Sequence, residues 1–448
     1  MTDTLSGSPP DTRSAERVLM VLPSERLVRT AAAAGCRVWS VWDPALRERA
    51  YLDEVARHSE RLLLADLDDE AGLRALIART AREHRVTHVL HLGGARAVTP
   101  VLAEAEALGL GANPVDAVRT LGDRGAMREL LWSYPRLRVR AERAVDAAAV
   151  RRAVTRFAGF PVVVKSAEVS GSCGATLLRG PYGLADWERA VVARGTPGPF
   201  LVEEYLPGPQ YAVETLSVDG MHQVAGITTT RTTGPPHFET VSHVHPAPLG
   251  DRAEAEIRSA VCALLDLAGF ENGPTHTTVV RTPDGIRVLA SRAGLGGDGI
   301  PLLVELARGT DLEAESFRAL TGGLLTPPAL GRTAMAGFVR LPGARPPGGP
   351  AIDALRALPY VRDVDVRADD VRADEGRADD ARADEGRADD VRADEGRARA
   401  VDVRAPAGLR VRVVVVGDGP GDAARHLAAA RRLLGAPHEN RPEAARIT

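Results

Sequence analysis

The sequence predicts a mixed fold, an α/β layer followed by α+β layers, and three observations carry that expectation. After Arg17, short apolar β-rich runs alternate with helical stretches for about a hundred residues, the pattern of a parallel sheet covered by helices. The middle third is strand-rich with glycines at its turns, as antiparallel hairpins require. From about residue 331 a smaller strand-and-helix unit begins, after a proline-rich loop. A chain of 448 residues corresponds to about three domains of ordinary size. With 44% hydrophobic and 26% charged residues it has the balance of a globular protein with buried cores.

The elements follow in order. Residues 1–16, MTDTLSGSPPDTRSAE, are polar and read as a disordered tail without the apolar segment of a secretion signal. VLMVL (18–22) is a buried strand, SERLVRTAAAAG a helix ending at Gly35, and RVWSVW (37–42) a second strand. RLLLA (61–65), a helix to about Glu83, VTHVLHL (86–92) and a helix near 97–108 complete a supporting domain over 17–115. The turn after VLMVL is PSERLVR, with no glycine to let a pyrophosphate approach, so a dinucleotide site is excluded there.

A helical stretch over 114–133 and a helix over 145–157 lead to FPVVVK (160–165), a strand ending at Lys165. A small-residue loop, SAEVSGSCGA (166–175), comes next. The segment 199–220 reads as strand, Pro-Gly turn and strand; VAGITTT (224–230), PTHTTVVRT (274–282) and IRVLA (286–290) are further strands. The C-terminal unit, 331–448, is interrupted by three near-identical ten-residue units over 367–396. Each unit carries four acids and two arginines, with no apolar stripe and too little apolar content to offset its ordering entropy. It reads as a solvated insertion between two strands.

Charge and cysteine usage narrow the function. The 57 basic and 60 acidic residues leave −3, without the excess that neutralises nucleic-acid phosphates. No run approaches the ~20 apolar residues of a membrane span, so nucleic-acid and membrane partners are not expected and a cytoplasmic location is. Cys36, Cys173 and Cys262 lie too far apart in sequence for metal-ligand spacing or a disulfide framework. Among those 57 basic residues Lys165 is the single lysine. A compact ammonium at a strand end, followed by Ser170, Gly171, Ser172 and Gly174, suits a polyphosphate cradled by backbone N–H groups.

FPVVVKSAEVSGSCGA, FLVEEYLPGPQYAVE, GPTHTTVV and RVLASRAGLGGDGIPLLVELARGTDL together resemble the ATP-grasp superfamily. Within it they resemble the carboxylate–amine ligase branch that contains L-amino-acid ligases, over roughly residues 17–345. The resemblance implies a Rossmann-like pre-ATP-grasp domain (17–115), an ATP-grasp clasp of two α+β subdomains (116–330) and a small α+β C-terminal unit. It implies ATP as the bound nucleotide, small-molecule carboxylate and amine substrates joined through an acyl phosphate, and allows a homodimer. By the same resemblance Lys165 contacts ATP, Ser170 to Gly174 close over the phosphates, and Glu203, Glu204 and Leu206 form the adenine hinge. Gln210 stands at the ribose position, and Arg124 stands where a lysine is usual.

The catalytic end departs from the family. Its members hold Mg²⁺ on the phosphates with two glutamates and an asparagine, since Mg²⁺ takes oxygen ligands, and an arginine stabilises the transferring phosphoryl group. Here those positions are Thr278, Ala290, Arg292 and Gly294. A register shifted by two makes Arg292 the arginine but puts Val288 and Ala290 at the acid and amide positions, and restores no acid. Mg²⁺ is therefore doubtful and Arg292 is the one candidate catalytic group, with Glu239 and Asp298 the nearest alternative carboxylates by motif. His237, His243, His245 and His276 read as structural or substrate-contacting rather than as a metal site. Two functions stay open, a working ligase and a nucleotide-binding pseudo-ligase.

Overall fold

A computed structural model describes residues 15–91, 97–157, 159–167, 175–195, 198–320, 331–341, 349–368 and 409–435. The chain divides into two compact units: one runs to Ala112 and takes back a segment from Ser316, and the other holds the rest.

The first unit contains β1 (Arg17–Val21), α1 (Glu25–Ala33), β2 (Arg37–Trp42), α2 (Arg49–His58), β3 (Arg61–Leu64), α3 (Glu70–His84), β4 (His88–His91) and α4 (Val98–Ala107). Its four strands form a parallel sheet in the order β3-β2-β1-β4. All of β1 after Arg17 is buried, as expected of a strand covered by helices on both faces. Ser24 accepts from Leu27 N and fixes the start of α1, which occupies the turn where glycines are missing.

In the second unit, α5 (Val115–Gly122), α6 (Arg124–Leu131), β5 (Ala141–Ala144), α7 (Ala147–Arg156), β6 (Val162–Ser166), β7 (Thr176–Leu178), α8 (Pro181–Arg194) and β8 (Phe200–Glu204) come first. Four of these strands make an antiparallel sheet in the order β5-β8-β6-β7. Val162 and Val164 turn one face into a core with α7 and α8, which leaves Val163 and Lys165 on the other.

Next come β9 (Gln210–Val218), β10 (Met221–Thr232), β11 (Thr240–His245), α9 (Asp251–Ala268), β12 (Gly273–Thr282), β13 (Gly285–Ala293), α10 (Ile300–Arg308) and α11 (Leu312–Leu320). The last elements are β14 (Thr333–Leu341), α12 (Gly349–Arg356), β15 (Val361–Ala368), β16 (Leu409–Gly417) and α13 (Pro420–Leu433). Eight strands form one sheet, β13-β12-β9-β10-β11-β14-β16-β15. The strands after residue 331 thus extend the sheet of the middle third through β11–β14 pairing, from Ser242–Gly337 to His245–Ala334, rather than building a sheet of their own. One face is sealed by α9 with α5 and α6, and α10 covers part of the other.

The acidic repeat needs one correction. Its first two residues, Arg367 and Ala368, belong to β15 and lie opposite Arg410 and Leu409. Arg367 is held there by Asp365 at 2.7 Å; the remaining repeat residues lie outside the described set. Among the described residues no helix is long and apolar enough to cross a membrane.

Candidate nucleotide site

Helix α6 and strands β6 and β8 converge on one carboxylate, Glu203. In the β6–β8 ladder Val163 faces Glu203 and Lys165 faces Leu201, so Lys165 and Glu203 stand on the same face, one diagonal step apart. Lys165 Nζ donates to Glu203 Oε2 at 2.5 Å. Asp123 caps α6 by accepting from Ala126 N, and Arg124 and Arg128 follow four residues apart, hence on one face of the helix. Arg124 donates to Ser166 O at 3.3 Å. Arg128 Nε donates to Glu203 Oε1 at 2.7 Å, while its two other nitrogens reach Val288 O at 2.8 Å and Leu289 O at 2.9 Å.

The cluster is buried: Glu203 is 1% exposed, Arg128 5% and Arg124 8%. Burial would raise the Glu203 carboxyl, but Arg128 and Lys165 outweigh it and hold the group at about 2. Burial pushes the Lys165 ammonium below the usual lysine range, and Arg124 and Arg128 add to this against the pull of Glu203. Among the described residues Lys165 and Arg128 both bond Glu203, and Arg124 feels its charge.

The hinge residues sit close by with different jobs. Each oxygen of Glu203 accepts from one cation, Oε2 from Lys165 and Oε1 from Arg128, so its side chain serves as their counter-ion. Glu204 accepts from Arg140 N at 2.7 Å. Leu206 is half-buried on the β8–β9 connection, and Gln210 opens β9 between Thr230 and Val280. Ser170, Gly171, Ser172 and Gly174 lie outside the described residues.

The metal positions lie on the eight-stranded sheet. Thr278 pairs directly with Ala290 on one side and Ala212 on the other. Arg292 lies across from His276, is exposed, and donates to Leu295 O of its own loop. Gly294 follows the strand at φ +106, where a side chain is strained. These positions offer one hydroxyl, two methyl groups and a guanidinium, and they do not fit Mg²⁺, a hard cation that needs carboxylate or other oxygen ligands. Of the alternative carboxylates, Glu239 pairs with Arg340 at 3.0 Å. Asp298 lies 3.7 Å from both His243 and Arg410; burial would raise it, but His243, Arg410 and Arg412 hold it at about 2. Among the described residues no group of three His, Cys, Asp or Glu could hold a metal ion.

The histidines are spread over separate roles. His237 is exposed. His243 and His245 bond to Thr230 and Thr228, and burial first, then Arg308, lowers His245 to about 3. His276 Nδ1 lies 2.5 Å from Glu214 Oε1, and Glu214 Oε2 accepts from Gly296 N at 3.0 Å. A Cβ on Gly296 would stand 2.4 Å from that carboxylate, so only glycine lets the loop close on it. Neither Glu214 nor Arg128 was singled out by the sequence; the signal for Arg128 was its place one helical turn after Arg124.

Residues 158–297 match the family model described as ATP-grasp domain. The fold is similar to the crystal structure of L-amino acid ligase from Bacillus licheniformis, with a TM-score of 0.68 at 18% identity over 96% of this chain and all of that one. N5-carboxyaminoimidazole synthase from Aspergillus clavatus gives 0.67 at 13% identity, covering 94% and 99%. Biotin carboxylase from Campylobacter jejuni gives 0.59 at 14%, covering 93% and 91%. The uncharacterized protein y4rH of Sinorhizobium fredii is 32% identical over 185 residues, 40% of this chain and 38% of that protein's length. Residues 158–297 therefore match the ATP-grasp domain, and the fold of the chain is similar to that of the L-amino acid ligase and its structural neighbours.

Proposed function

We propose that this protein binds ATP at the Lys165 cluster, on a carboxylate–amine ligase scaffold whose usual metal-dependent phosphoryl transfer is impaired. The observation that carries the reading is the shared carboxylate: among the described residues Lys165 and Arg128 both bond the buried Glu203, with Arg124 beside them. Lys165, the Arg124 guanidinium and the loop after β6 would hold the phosphates, and the β8–β9 connection at Glu204 and Leu206 would receive the base, with Gln210 towards the ribose. Thr278, Ala290 and Gly294 support the impaired reading, because the groups that anchor metal and stabilise the phosphoryl group in the family are missing. Arg292 would supply part of the lost positive charge.

The second reading is a working ligase that converts a carboxylate to an acyl phosphate and lets an amine displace it. It is favoured by the ordered loop before α10, which Glu214 and His276 hold in place. Calorimetry with Lys165→Ala tests the site: ATP affinity should fall by about 1.5–3 kcal/mol, the contribution of a charge-assisted hydrogen bond, and equal affinity in both proteins would refute it. An ATP-hydrolysis screen with amino-acid pairs and Mg²⁺ or Mn²⁺ separates the readings, since only the ligase gives substrate-dependent turnover.

A further inference from the structure

We propose that Arg128 is the positioning residue that keeps Lys165 available to nucleotide phosphate, by occupying one oxygen of Glu203 and tying that carboxylate to β13. The inference rests on the nucleotide reading above and extends it to a residue that no motif marks.

The geometry is a three-way junction. Arg128 is almost fully buried and uses all three nitrogens: one on Glu203 of β8, two on the carbonyls of Val288 and Leu289 in β13. A planar guanidinium makes this fork where an ammonium would not. The two carbonyls immediately precede Ala290, so one side chain sets the spacing between the phosphate-side strand and the strand of the former metal position. The electrostatic part follows from counting charges around Glu203. Among the described residues the groups facing Lys165 are Glu203 from β8 and Arg124 and Arg128 from α6. With Arg128 in place, Glu203 divides its one charge between two bonded cations, so Lys165 is only half compensated by it and can still attract an anion. Without Arg128, Glu203 would answer to Lys165 alone, the pair would be neutral, and the phosphates would meet a weaker cation.

The test is a nucleotide ladder measured by calorimetry on the full chain: AMP, ADP and ATP against wild type, Arg128→Gln and Arg128→Lys. Wild-type affinity should climb with each phosphate. Arg128→Gln should retain AMP binding and lose about tenfold or more of the gain from AMP to ATP. Arg128→Lys keeps the charge without the carbonyl fork and should restore most of that gain. A purely mechanical role predicts equal loss for AMP and ATP in Arg128→Gln and no rescue by lysine, and that pattern would overturn the proposal. Should Arg128→Gln fail to fold, the Arg128→Lys ladder decides alone, a lost climb counting against the proposal.

A second measurement needs no ligand. Because Lys165 is the only lysine, protein labelled with ¹³C-lysine gives one Cε resonance, whose pH titration reports this ammonium. Arg128→Gln that still unfolds cooperatively should titrate at higher pH than wild type, since one repelling cation is gone and Glu203 acts on Lys165 alone. Identical titrations would overturn the proposal. If wild type binds no nucleotide, the ATP reading fails separately, and the titration still decides the role of Arg128.

Discussion

The four-stranded and eight-stranded sheets of the second unit place their charge differently around the two proposed halves of the site. On the nucleotide side, β6, β8 and α6 concentrate charge: Lys165, Arg124 and Arg128 around Glu203, all but out of solvent. At the proposed metal position on β9, β12 and β13, Thr278 lies between two alanines, Arg292 folds onto its own loop, and the nearby Glu214 is engaged by His276 and Gly296 N. Keeping several ions buried is costly unless a ligand completes their pairing, so the first half retains the signature of use. On the proposed reading, binding and turnover would be separable on this fold, because different strands would carry them.

The largest effect expected from breaking the contrast is at its charged end. Glu203→Gln leaves Lys165 and Arg128 buried without their counter-ion and should cost about 3–5 kcal/mol of stability, read by denaturant unfolding. The same carboxylate sets a pH dependence. Its folded value of about 2 lies below the unfolded value of 4.5, so its contribution is complete above 4.5 and is lost as pH falls from there towards 2. His245 begins earlier: its folded value of about 3 lies below 6.5, so stability should start to fall once the pH drops below 6.5. Acid unfolding of wild type should show both windows, and Glu203→Gln should weaken the lower one, leaving the part due to Asp298, whose folded value is also about 2.

Rebuilding the neutral end is a smaller perturbation. Thr278→Glu with Ala290→Glu places two carboxylates across one ladder step, and Arg292→Asn removes the competing cation. This triple variant should bind ATP more tightly with Mg²⁺ than without, by about tenfold. Ligation need not return, because Gly294 still lacks the arginine. Equal affinity with and without Mg²⁺ in the triple variant would mean that these strands are not the metal position.

The smallest effect is expected at the far edge of the sheet. The sequence VDVRA of β15 (364–368) recurs at 401–405, three residues, Pro-Ala-Gly, before β16. Deleting 364–400 therefore leaves the strand VRDVDVRA intact and joins it to β16 by a three-residue turn ending in glycine, a favoured hairpin connection. The register Val364–Val413 to Ala368–Leu409 would be reproduced residue for residue. The melting temperature should stay within a few degrees, and ATP affinity should not change; a large drop would show that the inserted residues contribute to the core.

What the sequence made legible follows from how local each feature is. The alternation of the first unit and the strand ending at Lys165 depend on neighbouring residues, and both were readable. The role of Glu203 was not, because VEEYLPG shows a hinge while the pairing with Lys165 and Arg128 comes from a strand and a helix far away in the chain. Arg128 was hidden among 56 arginines, of which only its position one turn after Arg124 distinguished it. Glu214 and His276 meet only through the β9–β12 register. The C-terminal strands looked separate because the β11–β14 ladder that joins them is non-local. Thr278 and Ala290, the positions where the sequence reading places the missing metal acids, face each other directly.

The central claim, that nucleotide binding persists where metal anchoring is lost, is tested most directly by ATP calorimetry on the unmodified protein in Mg²⁺ and in EDTA. The account predicts measurable binding in both, with dissociation constants that agree to within about threefold, roughly half a kcal/mol. Binding that appears only with Mg²⁺, accompanied by substrate-dependent turnover, would contradict it.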